Sequence, residues 1–139
     1  MQIEKKYYHV DSIETVNLLI EHINNSEVIA YDTETDGLNV RKGTIVGWSV
    51  SGDEGIGFYL PTQVWNKQTQ QLEECIIGGK GAHAITKKLL PMLKGKKLVM
   101  HNASFDCRFT KNYYAVDLLE DLWVDTALLV HTVQEEGSG

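Results

Sequence analysis

Two short motifs hold the residues of this 139-residue sequence whose types and spacing best suit chemistry: Asp32-Thr33-Glu34 and His101-Asn102-Ala103-Ser104-Phe105-Asp106. Side chains along a strand alternate between faces, so Asp32 and Glu34 leave the chain on one side, close enough to share a cation. Two ionised carboxylates held together repel, and a hard divalent ion such as Mg²⁺ or Mn²⁺ between them relieves the repulsion. In the second motif, a helix starting near Asn102 puts Asn102 and Asp106 four apart on one face, which adds an amide and a third carboxylate. If the strands around Ala30 and Val99 are neighbours, that face meets the first pair. Each motif alone also has an ordinary reading. Acidic residues can crowd a strand exit in a chain with 19 of them, and Asn102 can cap a helix whose first turn carries a solvated Asp106.

The elements that must position these groups follow from periodicity. Asp11 to Asn25 has Ile13, Val16, Leu19, Ile20 and Ile23 at helical spacing, with Asp11 and Glu14 as a capping box. Glu27-Val-Ile-Ala-Tyr-Asp32 is apolar on both faces, as in a central strand of a covered sheet. Thr44 to Ser51 and Gly55 to Leu60 read as two further strands joined by a short loop, giving an antiparallel meander. Helix is expected around Gln68 to Ile76, broken by Gly78-Gly79, and again over Ala82 to Leu93. Lys97 to His101 is a short buried strand, Ala103 to Tyr113 a helix, Leu122 to Val124 a strand and Thr126 to Gln134 a last helix. Strand, helix, strand in this order implies parallel pairing through right-handed crossovers. The expected fold class is α/β, a mixed sheet with a three-stranded meander followed by parallel strands and covering helices, in one domain spanning residues 1–139.

Composition narrows the class of protein. With 42% hydrophobic residues and scattered Gly and Pro, the chain is neither disordered nor repetitive. Its apolar runs fall well short of the roughly 20 residues needed to span a bilayer, and the start lacks a signal peptide's apolar region. Cys75 and Cys107 have neither metal-ligand spacing nor disulfide-scaffold density, which fits a reducing compartment, and neither is given a role. A net charge of -6 argues against a broad basic grip on nucleic acid. It is compatible with a pocket in which bound divalent ions receive phosphates.

Taken together, a buried strand ending in Asp-x-Glu-Thr-x-Gly-Leu, a three-strand meander, and a second strand ending in His-Asn-x-x-Phe-Asp resemble the DnaQ-like, or DEDD, superfamily of 3′→5′ exonucleases. The closest resemblance is to the proofreading domain of family A DNA polymerases. It extends through Gly47-Trp48-Ser49-Val50, Phe58-Tyr59-Leu60-Pro61, Leu89-Leu90-Pro91-Met92-Leu93 and Val124-Asp125-Thr126-Ala127-Leu128-Leu129, essentially the whole length.

The resemblance implies a ribonuclease H-like fold and hydrolysis of phosphodiester bonds at the 3′ end of single-stranded DNA by two divalent ions, Mg²⁺ or Mn²⁺. Asp32 would bridge both ions, Glu34 would hold the first and Asp106 would support the second. Glu34 and the amide of Thr35 would hold the terminal 3′ hydroxyl, Leu38 would wedge beside the terminal base, and Asn102 and Phe105 would line the nucleotide pocket. Asp125 falls in the family's Asp-Thr, but capping of the last helix explains it, and it is left out of the site. The pattern breaks downstream. The family carries a fourth carboxylate in a Tyr-x-x-x-Asp or His-x-x-x-Asp helix, and the sequence reaches Gly139 without it. Tyr113-Tyr-Ala-Val-Asp117 has the spacing but lies where the family has a loop. The expectation is a front part of the domain, belonging to a longer polymerase chain in the cytoplasm of a bacterial or phage-infected cell. By itself it binds metal weakly and cleaves slowly or not at all, since each positioned group lost costs about 10²-fold. The alternatives are a ribonuclease D-like RNA exonuclease and a catalytically dead nucleic-acid-binding domain.

Overall fold

Val28 to Thr35 form the strand on which the fold is centred, and its neighbours follow from where their apolar residues must go. The computed structural model describes residues 6–36, 44–53 and 55–128, with Asp53 as backbone alone. In chain order the elements are β1 (Lys6–His9), α1 (Ile13–Asn24), β2 (Val28–Thr35), β3 (Ile45–Asp53) and β4 (Ile56–Pro61). There follow β5 (Gln63–Asn66), β6 (Gln71–Glu74), β7 (Ile76–Ile77), β8 (Lys80–Gly81), α2 (Ala82–Leu89), β9 (Lys97–Met100), α3 (Ala103–Tyr114) and β10 (Leu122–Asp125). A six-stranded sheet has the order β1-β4-β3-β2-β9-β10. The expected meander is present, with β2, β3 and β4 paired antiparallel. β9 runs parallel to β2 and β10 parallel to β9, as the crossover argument requires. The strand β1, parallel to β4, was not anticipated; Tyr8 secures it by stacking on Phe58 with ring centroids 4.9 Å apart.

The strand order explains the layering. The connections β1 to β2, β4 to β9 and β9 to β10 all advance across the sheet in one direction, and right-handed crossovers that advance the same way put their helices on the same face. Accordingly Leu19 and Ile23 of α1, Ile85 and Leu89 of α2 and Phe109 of α3 share one core with Ile29 and Tyr31 of β2, Trp48 and Val50 of β3 and Leu98 of β9. Each such side chain, fully buried, contributes roughly 1.5–3 kcal/mol. Trp48 is the largest, and its indole N–H donates to Thr86 Oγ1 at 3.0 Å, so no polar atom is stranded.

Two local expectations are corrected. The first helix is capped by Ser12, whose hydroxyl accepts from the Thr15 amide at 3.2 Å while Thr15 Oγ1 accepts from the Ser12 amide at 3.0 Å; Asp11 and Glu14 do not form the box. The stretch Gln68 to Ile76 is not helical. Asn66 Oδ1 accepts from the amides of Gln68 and Thr69, turning the chain so that Trp65 pairs with Leu72 in a β5–β6 hairpin. That side-chain-to-backbone turn overrides the helical propensity of Gln70, Gln71 and Leu72. The helix predicted over Ala82 to Leu93 ends at Leu89, and Pro91 lies in the 3₁₀ turn Leu90–Leu93 that follows.

A covered central strand is also corrected among the described residues. Along β2, Ile29, Tyr31 and Thr33 are buried while Ala30, Asp32 and Glu34 are exposed, so the helices shield one face of the strand and leave its acidic face open.

Candidate active site

The acidic pair occupies the downstream end of β2, on the face away from the helices. Asp32 lies opposite Ser49, and Ser49 opposite Tyr59; Glu34 lies opposite Gly47, and Gly47 opposite Pro61. With a strand period of two, Asp32 and Glu34 stand about 7 Å apart at Cα on one side. Gly47 shapes the neighbourhood of Glu34. A Cβ there would lie 2.1 Å from the Tyr59 hydroxyl oxygen, so only glycine lets the Tyr59 ring cross β3 at this level. The Tyr59 hydroxyl therefore lies over Gly47, directly opposite Glu34, and burial first and the charge of Glu34 second raise the pKa of its phenol. The open face forms a depression lined by Ala30, Asp32, Ser49, Tyr59, Val99 and His101.

Asp106 reaches the same strand from the helix side. It lies in the first turn of α3 and is 2% exposed. Its Oδ1 accepts from the Thr33 hydroxyl at 2.6 Å and from the Thr33 amide at 3.3 Å, while Oδ2 is buried with no hydrogen-bond partner. Burial pushes the Asp106 carboxyl up to about 6; the Thr33 bonds pull against this, and the negative charge of Asp32 reinforces it. Thr33 is therefore the link between the two motifs. Its neighbours Asp32 and Glu34 point to the open face, and its own side chain points inward and takes hold of Asp106. Behind it, Tyr31 Oη and Thr110 Oγ1 are 2.8 Å apart, and Thr110 Oγ1 donates to the Asp106 carbonyl at 2.7 Å.

The start of α3 is held from β10. Asn102 sits in the left-handed region at φ 68°, so the chain turns sharply from β9 into the helix. Asp125 spans that turn: Oδ1 accepts from the Asn102 amide at 3.0 Å and Oδ2 from the Ala103 amide at 2.8 Å. Asp125 Oδ1 also accepts from the Ala127 amide at 2.9 Å, the local cap expected from the sequence, but its larger role in the fold is to grip another helix. These backbone donors, the Ala103 amide foremost, hold its carboxyl below the usual range. Alongside, His101 Nδ1 and Thr126 Oγ1 are 2.8 Å apart.

The remaining expected site residues lie as follows. Thr35 is half-buried at the end of β2. Asn102 is exposed and is not on the buried helix face of Asp106; its side chain makes no cap bond. Phe105 is partly buried and pairs with Phe109, ring centroids 4.7 Å apart. Leu38 lies outside the described residues. Tyr113 and Asp117 are engaged elsewhere: the Tyr113 hydroxyl accepts from Gln63 Nε2 at 3.1 Å, and Asp117 faces Lys111 at 3.8 Å.

Thr33, Tyr59, Gly47 and Asp125 were absent from the sequence-level site. Thr33 had a readable signal, because a threonine alternating with two acids on a strand turns its hydroxyl inward and must find a partner there.

The donors suit a hard divalent cation in kind: all are carboxylate oxygens, and the buried Asp106 Oδ2 lacks any partner. They do not form a closed cage, since among the described residues no three His, Cys, Asp or Glu side chains stand close enough to hold one ion. Asp32 and Glu34 share the open face; Asp106 approaches from beneath the strand.

Known proteins agree with this frame. No curated protein matches the sequence. Among solved structures, the Nibbler EXO domain of Aedes aegypti superposes with a TM-score of 0.58 at 11% identity, over 96% of this chain and 60% of that one. Trypanosoma brucei RNase D gives 0.60 at 15% identity, over 90% and 39%. The catalytic core of RRP6 from Trypanosoma brucei gives 0.57 at 17% identity, over 81% and 27%. These likenesses are of fold, and the chain spans less than two thirds of each of these structures. Among the described residues no helix is long and apolar enough to cross a membrane. A family model described as 3′-5′ exonuclease matches residues 7–133. Exonucleases of this type work with two divalent metal ions. With nearly the whole sequence inside that match, the chain belongs to the 3′-5′ exonuclease family.

Proposed function

We propose that the chain is part of a proofreading domain that removes nucleotides from DNA 3′ ends, joined in its parent protein to a DNA polymerase. The carrying observation is the acidic pair Asp32 and Glu34, displayed on the open face at the end of the central strand of an exonuclease-family chain. Strand ends in open α/β sheets are where ligands gather. In this reading Asp32 and Glu34 hold the divalent ions, with Asp106 supporting one of them. Bound there, the ions supply an activated water and steady the leaving oxygen. Glu34 and the Thr35 amide hold the terminal 3′ hydroxyl. Leu38 wedges against the last base, and Asn102 and Phe105 line the nucleotide. The setting is the cytoplasm of a bacterial or phage-infected cell.

The test is hydrolysis of 5′-labelled single-stranded DNA and RNA of equal sequence by a polypeptide extended downstream along its gene. Stepwise Mg²⁺-dependent shortening of DNA, at least tenfold faster than of RNA and lost in Asp32→Ala, is expected. Preferential shortening of RNA overturns the DNA assignment in favour of a ribonuclease. No shortening of either, with DNA still bound, points to the catalytically dead domain.

A further inference from the structure

We propose that Asp125 is a positioning residue for the active site: it sets where α3 begins and thereby where Asp106 stands relative to Asp32 and Glu34. The inference rests on the exonuclease reading of those three carboxylates.

The geometry is specific. The first amides of a helix have no partner within it, and at α3 the usual supplier is disqualified, because Asn102 is left-handed and its side chain makes no cap bond. Asp125, 22 and 23 residues away in sequence, takes over, one carboxylate oxygen for Ala103 and the other for Asn102. A bidentate grip on two consecutive amides fixes both the position and the direction of the first turn. Asp106 lies in that turn: the Asn102 carbonyl accepts from the Phe105 amide at 3.1 Å and from the Asp106 amide at 3.4 Å, so the residue that Asp125 holds by its amide anchors the turn of Asp106 by its carbonyl. The Thr126 hydroxyl donates to the Met100 carbonyl at 3.3 Å, which ties the same stretch of β10 to the end of β9.

Asp125 is not itself placed as a ligand. Both of its oxygens face backbone donors, whereas Asp106 Oδ2 faces none. The arrangement divides labour: Thr33 holds the Asp106 carboxylate, and Asp125 holds the two amides at which its helix begins. Second-tier partners of this kind typically govern metal affinity by 10–100-fold.

The test measures Mn²⁺ affinity from paramagnetic broadening of amide resonances around Asp32 and Asp106 in the 139-residue chain, together with amide exchange at Asn102 and Ala103. Asp125→Ala is expected to speed exchange at both amides and to weaken Mn²⁺ binding by at least about tenfold. Asp125→Asn keeps one carbonyl acceptor and should fall between Asp125→Ala and the unaltered chain; it also serves if Asp125→Ala fails to fold. Ser12→Ala removes the cap of α1, which follows the edge strand β1 three places from β2, and should leave Mn²⁺ affinity unchanged. Unaltered affinity in the folded Asp125 variants, with binding still dependent on Asp32, overturns the inference alone. Absence of Mn²⁺ binding by the unaltered chain overturns the metal-site reading and the inference with it.

Discussion

Asp106 poses the sharpest energetic question at the scale of single residues. Its carboxyl is buried, one oxygen bonded to Thr33 and the other to nothing, and its pKa stands at about 6 in the folded chain against 3.8 for the free side chain. The folded state thus holds the proton more tightly than the unfolded state. Below about pH 4 both are protonated and there is no penalty. Between pH 4 and 6 the folded chain loses stability as pH rises, and above about 6 the whole penalty is present, on the order of 1–3 kcal/mol. Asp106→Asn removes the charge and keeps an acceptor for Thr33. Urea unfolding of the metal-free protein at pH 7.5 should therefore find this variant more stable than the unaltered chain by that amount, with the difference vanishing near pH 4. Thr33→Val acts in the opposite direction, leaving Asp106 Oδ1 without its 2.6 Å donor at a cost of about 1–3 kcal/mol at pH 7.5. The acids themselves were legible in the sequence, since carboxylates at strand period announce a shared face. The inward turn of Thr33 was legible by the same period, but its partner Asp106 was not, because that pairing depends on α3 packing 73 residues downstream.

At the scale of elements, the parts that resisted sequence reading are those in which a side chain commands the backbone. Asn66 turned an expected helix into a hairpin, and Asp125 served a helix other than its own. By contrast β2, β3, β4, β9 and α3 were readable from apolar runs and their period, because burial against a common core dictates that pattern directly. Two element-level substitutions test the packing. Gly47→Ala would push a Cβ to 2.1 Å from the Tyr59 hydroxyl, so the ring must leave its place beside Glu34; a loss of about 1–3 kcal/mol in urea unfolding is expected, largely relieved in combination with Tyr59→Ala. At the end of α3, Ala115 caps the helix in the left-handed region at φ 60°, donating its amide to the Lys111 carbonyl at 2.9 Å. Glycine adopts that conformation without the Cβ penalty, so Ala115→Gly should raise the stability by about 0.5–1 kcal/mol.

At the scale of the whole molecule, strand order decides where chemistry can occur. Crossovers that all advance the same way gather α1, α2 and α3 on one face, so among the described residues the acidic face of β2 is open at the strand end. The fold class was legible because a meander followed by strand–helix–strand units has few solutions obeying handed connections. The open face was not, since Ala30 between Ile29 and Tyr31 reads as apolar on both sides whether or not anything covers it. Whether Asp32, Glu34 and Asp106 together bind divalent ions is read out by thermal unfolding with increasing Mn²⁺. Ligand that binds only the folded chain raises the midpoint by mass action. The midpoint should climb with Mn²⁺ for the unaltered chain and stay flat in the Asp32→Ala and Glu34→Ala variants. A midpoint indifferent to Mn²⁺, or one that climbs equally in all three proteins, would contradict such binding.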